Sequence, residues 1–182
     1  MSLIPLVDPA TATGSTKEQL DQIRAAFGTV PAMFRTVAHS PAALTSMWSA
    51  FGAYGSSSSL GAALGEQIAV AVANRNACEY CLAAHSALGR KAGVSREAMV
   101  AAQTGVSDNP KTAAILAFAL ALVEQRGQLA ATDVEALRAH GVTDEQIVEI
   151  VGQVALNLFT NYLNVALDVP VDFPTVALRR AA

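Results

Sequence analysis

The two cysteines of the sequence lie close together and are followed by a histidine. Cys78, Cys81 and His85 fall within "NRNACEYCLAAHS", and the 182 residues contain no other cysteine. On a helix, the spacing i, i+3, i+7 places all three side chains on one face. His85 would lie one turn beyond Cys81, close enough to accept the proton of its thiol. The pattern therefore favours thiol chemistry, with an attacking sulfur, a second sulfur and a base on one helical face.

A helix start at this point would help to activate the thiols. A free thiol has a pKa of about 8.5, and a helix N-terminus or a neighbouring imidazole lowers it. Asn76 as N-cap, with Glu79 completing a capping box, predicts a helix over residues 77–92. The helix dipole alone would then make Cys78 the more acidic and more accessible thiol, whereas the adjacent base favours Cys81. The sequence leaves open which sulfur is more acidic. An i, i+3 pair can also form a disulfide, because its Cα atoms lie about 5 to 6 Å apart.

Three other interpretations of the cysteine pair remain open. The cysteines could be inert core residues, because cysteine is among the most buried residue types. They could bind zinc or another metal together with His85 and an acid such as Glu66. Structural zinc usually takes its ligands from two separate pairs, however, and a second Cys or His pair is missing from the sequence. A structural disulfide would close too short a loop to remove much unfolded-state entropy.

The composition is that of a single domain with unusually little charged surface. Charged residues make up 15% of the chain, against a usual share of about 25%. This deficit predicts that part of the surface is covered by other copies of the chain. We expect one domain over residues 1–182, with an extended segment at 1–14, the core motif at 64–93 and a C-terminal tail at 168–182.

The sequence offers no signal for a membrane, an export pathway or nucleic acid. The longest apolar run, residues 113–123, falls short of the roughly 20 residues that a membrane span requires. The N-terminus lacks the basic stretch of a signal peptide, so we expect a cytoplasmic protein. The net charge of −3 and the scattered basic residues argue against nucleic-acid binding.

Helix boundary signals recur along the whole chain, and they predict an all-α fold of about eight or nine helices. No segment of useful length alternates with the period of a strand. Capping-box patterns and first-turn prolines mark predicted helix starts, and a serine run marks a predicted break. These signals are Ser15-x-x-Glu18, Thr132-x-x-Glu135 and Thr143-x-x-Gln146, then Pro31, Pro41 and Pro110, and "GSSSS" at 55–59.

Two further groups of residues need a place in the fold. Met47, Trp48 and Phe51 form an apolar stripe, which more often belongs to a core than to a substrate pocket. Asn157, Asn161 and Asn164 share a face of an otherwise apolar helix, where amides need hydrogen-bond partners. They could support the cysteine site, lie in a subunit interface or form a solvated stripe.

The segment from residue 64 to 93, "LGEQIAVAVANRNACEYCLAAHSALGRKAG", resembles the AhpD-like alkylhydroperoxidases of the carboxymuconolactone decarboxylase family. Their pattern is a glutamate, eleven intervening residues, then Cys-x-x-Cys-x-x-x-His, which Glu66, Cys78, Cys81 and His85 fit without a gap. The flanks "FGTVPAMFRTVAHSP" and "NLFTNYLNVALDVPVDFP" are similar to the peroxidase-related branch of the family. The resemblance covers most of the chain.

The resemblance implies a helical domain that assembles into trimers or hexamers and acts as a thiol peroxidase without cofactor or metal. Cys81 would attack an organic peroxide or hydrogen peroxide and become a sulfenic acid, and Cys78 would resolve it as a disulfide. His85 and Glu66 would relay protons, and a dithiol or lipoyl-type protein would reduce the disulfide. Two alternatives are a lactone decarboxylase that needs no redox cysteine and a metal- or ligand-binding helical oligomer without catalysis.

The proposed relay places two demands on the structure. On one unbroken helix, Glu66 would point about 120° away from the cysteine face. The chain must therefore bend between them, and "NRN" at 74–76 is the expected place. Tyr80 stands where some family members carry a histidine, and a phenol with a pKa of about 10 is a poor base. We expect Tyr80, Asn157 and Asn161 to support the site and not to react.

Overall fold

The computed structural model describes residues 2–179 of the chain, and those residues form nine α-helices and no strand. The predicted all-α class is therefore confirmed, as is the expected number of helices. The helices are α1 Gly14–Phe27, α2 Ala32–Val37, α3 Pro41–Ser57, α4 Ala62–Arg75, α5 Glu79–Lys91, α6 Arg96–Ala102, α7 Pro110–Glu124, α8 Ala131–Ala139 and α9 Asp144–Ala166.

Several helices begin where local chemistry predicts. The side chains of Ser40 and Asn109 accept a backbone N–H from the first turn of α3 and α7. At the start of α9, Thr143 accepts the N–H of Gln146, whose side chain in turn accepts the N–H of Thr143. These contacts satisfy N–H groups that have no partner within the helix, so they fix where each helix starts.

Two predicted capping boxes are wrong, and the serine-rich break is shorter than expected. Helix α1 begins directly after Thr13, which places Ser15 inside the first turn. Helix α8 begins after Ala130, whose N–H is bound by the carboxylate of Asp133, so Thr132 is not the cap. Helix α3 continues to Ser57 into the serine run. In each case a helix extends further than its strongest local signal indicated.

Helix α4 lies at the centre of the molecule. Its residues from Ile68 to Ala73 are all buried, and it packs against α5, α6, α7 and α9. A helix that is buried on every side has a continuous apolar sequence, and residues 68–73, "IAVAVA", are such a sequence. The central position of α4 fixes the places of Glu66 near its start and of the turn that leads into α5.

The C-terminal segment 168–179 is irregular but is held in place by side-chain contacts. The carboxylate of Asp172 accepts the N–H of Ala32 at 2.6 Å, at the start of α2. The side chain of Asn74 accepts the backbone N–H of Arg179 and donates to its carbonyl oxygen. The expected tail is thus anchored at two points, and its last three residues, like Met1, lie outside the described part of the chain.

None of the helices within residues 2–179 combines the length and the apolar content needed to cross a membrane.

The two threonines that the sequence marks as caps offer a matched test. Thr143→Ala removes an N-cap and one half of a capping box, so we expect the free energy of unfolding to fall by about 1 kcal/mol. Thr132→Ala removes an exposed threonine that caps no helix, and it should leave the free energy of unfolding within about 0.5 kcal/mol of the parent value. Urea unfolding followed by circular dichroism measures both changes, and equal losses would show that the start of α8 is wrongly placed.

Candidate active site

The cysteine pair follows a tight turn that joins α4 to α5. Ala77 adopts a left-handed conformation, with φ of 53°. Its N–H bonds to the carbonyl of Asn74, and the N–H of Cys78 bonds to the carbonyl of Ala73 at 2.9 Å. This is the Schellman pattern that closes a helix. The bend expected at 74–76 is therefore present, but Asn76 is the C-cap of α4 and not the predicted N-cap of α5.

Cys78 itself caps α5. Its Sγ accepts the backbone N–H of Cys81 at 3.3 Å, and the first helical residue is Glu79. Cys81 is therefore the third residue of the helix, whereas the sequence predicted that it would be the fifth. The shift moves both cysteines closer to the positive end of the helix dipole, which favours a thiolate at this position.

Both cysteines are free thiols in the interior of the protein. Cys78 is 1% exposed and Cys81 is 2% exposed, so the expected solvent access of Cys78 is wrong. The two side chains line different cavities. Cys81 faces an apolar cavity of about 250 Å³, whereas Cys78 faces a groove formed with residues 164–171. A reactant and a reductant could therefore approach the two sulfurs from different sides.

The environment gives the two thiols opposite tendencies to ionise. The hydrogen bond from Cys78 lowers the pKa of Cys81 to about 6, against the opposing effect of burial, and the charge of His85 and the amide of Asn164 add to it. The same hydrogen bond and burial raise the pKa of Cys78 far above its ordinary value. These contacts favour Cys81 as the more acidic thiol, the alternative that the adjacent base favoured in the sequence.

The asparagines of α9 lie in the interior of the protein and do not face solvent. Asn157, Asn161 and Asn164 are all buried, so the interpretation as a solvated stripe does not hold. Asn164 Nδ2 donates to Cys81 Sγ at 3.2 Å. Asn161 accepts a hydrogen bond from Asn76 at 2.9 Å and so connects α9 to the turn before the cysteines. These amides stabilise a thiolate because they direct N–H dipoles at it without adding a charge.

Glu66 and His85 form an ion pair beside the cysteines. Helices α4 and α5 run back along each other after the turn, which brings Glu66 Oε2 to 2.7 Å from His85 Nδ1. Burial acts to lower the pKa of His85, but the charge and hydrogen bond of Glu66 and the charge of Cys81 outweigh it, so the pKa is raised. These contacts favour the protonated form of His85 beside Cys81. The two lie on the same cavity, and no direct hydrogen bond joins them within the described chain.

Tyr80 supports the structure around the site. Its hydroxyl accepts the N–H of Met33 at 3.3 Å and lies beside the carboxylate of Asp172. Burial, together with Asp172, raises the pKa of the phenol well above its ordinary value. The ring packs edge-on against Phe173 of the C-terminal segment. Tyr80 therefore takes no part in the Glu66–His85 pair and instead joins α5 to α2 and to the C-terminal segment.

Aromatic rings form a large part of the lining of the cavity at Cys81. Trp48 and Phe51, which we predicted as core, line it together with Phe27, Phe34 and Phe173, whereas Met47 is fully buried in the core. Phe34 makes edge-on contacts with both Trp48 and Phe51. This cavity could not be predicted from the sequence, because its aromatic residues come from separate segments. No local pattern in the sequence connects them.

Among residues 2–179, no three His, Cys, Asp or Glu side chains are arranged to hold a metal ion. The zinc interpretation of the cysteine pair therefore has no ligand set in this part of the chain.

Comparison with known proteins finds one matching family model and several solved structures of similar fold. The model of the carboxymuconolactone decarboxylase family matches residues 41–121, from the start of α3 into α7. The alkylhydroperoxidase AhpD core of an uncharacterised peroxidase-related protein from Ralstonia eutropha has a TM-score of 0.84 at 25% identity, over 94% of this chain and 92% of that one. A peroxidase-related protein from Silicibacter has a TM-score of 0.81 at 22% identity, over 97% and 92% of the two chains.

A debrominase shares the same fold. A cysteine-to-alanine variant of the debrominase Bmp8, in complex with 2,3,4-tribromopyrrole, has a TM-score of 0.77 at 23% identity, over 94% of both chains. No curated protein sequence matches the chain significantly. The fold and site define an all-helical protein with a paired-cysteine centre. The match of the family model and the shared fold make the chain similar to the AhpD-like proteins of the carboxymuconolactone decarboxylase family.

The opposite ionisation of the two thiols can be tested by removing one of them. In Cys78→Ala the largest influence that lowers the pKa of Cys81 is lost, so we expect this pKa to rise from about 6 towards the ordinary value of a free thiol. Thiolate absorbance at 240 nm against pH gives the midpoint. Ala77→Ser, in the same turn, leaves the hydrogen bond intact and serves as the control. A midpoint that stays near 6 without Cys78 would contradict the assignment.

Proposed function

We propose that the protein is a thiol-dependent reductase of organic hydroperoxides that cycles through a Cys78–Cys81 disulfide. The observation that supports this most strongly is a low-pKa thiol, Cys81, on an apolar cavity that it shares with the Glu66–His85 ion pair. Low pKa and access to substrate are what a redox-reactive cysteine requires. An aromatic cavity suits a peroxide with an organic group better than hydrogen peroxide, because it offers little polar contact.

In the first step, the Cys81 thiolate attacks the distal oxygen of the hydroperoxide. The S–O bond forms as the O–O bond breaks, which oxidises Cys81 to a sulfenic acid and releases an alkoxide. His85, held protonated by Glu66, supplies the proton that turns the alkoxide into an alcohol. The ion pair is placed for this role because it lines the same cavity as the sulfur.

In the second step, Cys78 resolves the sulfenic acid. Its thiol gives up a proton to the departing hydroxyl group as the S–S bond forms, and water leaves. Cys78 starts as a protonated thiol because its pKa is raised, so it does not compete for the peroxide. Its position one helical turn before Cys81 lies within the Cα separation that a disulfide needs.

A dithiol or lipoyl-type protein would return the disulfide to two thiols by exchange. The attacking thiolate would form a mixed disulfide, release one cysteine and be displaced by its own second thiol. The groove beside residues 164–171 gives a route to Cys78 that does not pass through the aromatic cavity. Both sulfurs are buried, so the exchange requires local opening of this groove.

Intact-mass measurement after peroxide treatment tests the cycle. One equivalent of cumene hydroperoxide should oxidise the reduced protein to an intramolecular disulfide, with a loss of two hydrogens in mass. Cys78→Ser should stop at the sulfenic acid, trapped by dimedone, and Cys81→Ser should consume no peroxide. His140→Gln, which changes a histidine far from the cysteines along the chain, is the control.

Two results would overturn the proposal. Thiols that stay reduced under excess peroxide would exclude the cycle. A lactone decarboxylase activity that survives replacement of both Cys78 and Cys81 by serine would support the alternative that needs no redox cysteine.

A second candidate is reductive dehalogenation of an aromatic halide. The aromatic cavity beside an acid and a thiolate favours it, and the debrominase of similar fold binds 2,3,4-tribromopyrrole. His85 would protonate the ring carbon while Cys81 takes the halogen as a sulfenyl halide. Cys78 would then displace halide ion and form the disulfide. Two thiols are oxidised, and one carbon–halogen bond becomes a carbon–hydrogen bond.

Bromide release distinguishes the second candidate from the first. If it is right, 2,3,4-tribromopyrrole with a dithiol reductant should yield bromide ion at a rate that Cys81→Ser abolishes. Release equal to that of the Cys81→Ser protein would exclude dehalogenation of this substrate and leave the peroxidase proposal unaffected.

We also propose that the protein assembles with copies of itself, as its low charge content led us to expect. Helix α9 exposes an apolar stripe to solvent, formed by Val148, Val151, Phe159, Tyr162 and Val165. A contiguous exposed apolar surface of this kind is typical of a subunit contact. The trimeric or hexameric state remains a prediction.

A further inference from the structure

A second cavity lies on the side of α5 that does not face the aromatic cavity. It is a groove of about 340 Å³ between α5, α6 and residues 174–179, and it shares no lining residue with the cavity at Cys81. Three arginines line it: Arg90 of α5, Arg96 of α6 and Arg179 of the C-terminal segment. The whole sequence has a net charge of −3, so a groove with three cationic side chains stands apart from the rest of the surface.

The three guanidinium groups form no ion pair within residues 2–179. The ion pairs found in this range involve other cationic side chains, namely Lys17, Arg75, His85 and Arg138. Unneutralised guanidinium groups repel each other, and an anion between them relieves the repulsion. Arginine suits this role because its planar group presents several N–H donors that match the oxygens of a phosphate.

The inner wall of the groove contains two buried polar side chains without partners. Ser86 is 7% exposed and Gln103 is 2% exposed, and both line the groove. Ser86 Oγ and Gln103 Oε1 have no hydrogen-bond partner among the described residues. A buried polar atom left unpaired destabilises the folded protein. Both oxygens are covered in this structure, so a ligand in the groove would reach them once the two side chains rotate towards it. Gln103 Oε1 can only accept and would then require a hydrogen-bond donor on the ligand.

The outer wall of the groove is fixed and does not depend on a ligand to form. Asn74 Nδ2 donates both to the carbonyl of Gln103 at 3.0 Å and to the carbonyl of Arg179 at 2.8 Å. Its Oδ1 accepts the N–H of Arg179 at 2.7 Å. The side-chain amide of Asn74, near the end of α4, thus holds the C-terminal segment against the turn that carries Gln103. This contact sets the width of the groove.

We propose that this groove binds a small phosphate-bearing ligand, with Arg90, Arg96 and Arg179 on its anionic oxygens and Ser86 and Gln103 on its hydroxyl group. Three positive charges match a dianion better than a single carboxylate. A hydrogen phosphate carries both charged oxygens and an O–H donor, whereas sulfate carries the same charge without a donor. The ligand is either free phosphate, whose own O–H is the donor, or a phosphomonoester, whose dianion has no O–H on phosphorus and supplies the donor from its organic part, as the hydroxyl groups of glycerol 3-phosphate do.

Isothermal titration calorimetry at constant ionic strength tests the site with inorganic phosphate, glycerol 3-phosphate and sulfate. We expect saturable binding of one phosphate ligand per chain, tighter than that of sulfate. The double change Arg90→Gln and Arg96→Gln should weaken phosphate binding at least about tenfold, since it removes two charged hydrogen-bond donors, which contribute more than neutral ones. Arg24→Gln changes an arginine on another face and should leave binding unchanged.

Ser86→Ala adds a variant that should fold without loss, because it removes a hydroxyl that has no partner. Phosphate binding should weaken in this variant while the urea midpoint of the unliganded protein is unchanged or higher. Tighter binding of glycerol 3-phosphate identifies an ester as the ligand, and equal binding identifies free phosphate; either supports the site. The proposal would be overturned if phosphate did not bind, if the double arginine variant bound phosphate as tightly as the parent, or if sulfate bound as tightly as phosphate.

Discussion

The reversal of the chain at Ala77 is the constraint on which the whole site depends. A residue with a Cβ atom in the left-handed conformation costs roughly 1–2 kcal/mol, and packing of α5 on the buried α4 offsets it. Because the chain turns back here, Glu66 meets His85, although the two are 19 positions apart in sequence. The same turn makes Cys78 both the end of one helix and the cap of the next.

The capping role of Cys78 leads directly to the electrostatics of the site. Burial raises the pKa of a thiol, so two buried cysteines would ordinarily both stay protonated. Here a single proton is shared unequally: Cys78 keeps it and donates a hydrogen bond, and Cys81 carries the charge. Asn164 and the imidazolium of His85 add to the stabilisation. A thiolate in an apolar cavity has few water molecules to displace before it reacts, which makes it a strong nucleophile.

The sequence predicted what depends on neighbours along the chain. The all-α class, the box at Thr143 and the bend between Glu66 and the cysteines follow from local capping and periodicity. The N-cap of α5 was misplaced at Asn76 because asparagine is common at both ends of helices, and only the packing of α4 on α5 decides which end it occupies. The burial of the α9 amides and the aromatic cavity could not be predicted, since each depends on segments that meet only in the folded chain.

The most direct measurement is the ionisation of each cysteine in the reduced, unmodified protein. The ¹³Cβ chemical shifts of cysteine report the charge of each sulfur separately across pH 5 to 9, a range set by the ordinary thiol pKa of about 8.5 and the lowered values near helix starts. We predict that Cys81 titrates with a midpoint of about 6 and that Cys78 stays protonated throughout. Titration of Cys78 within this range, with Cys81 unchanged, would contradict this prediction.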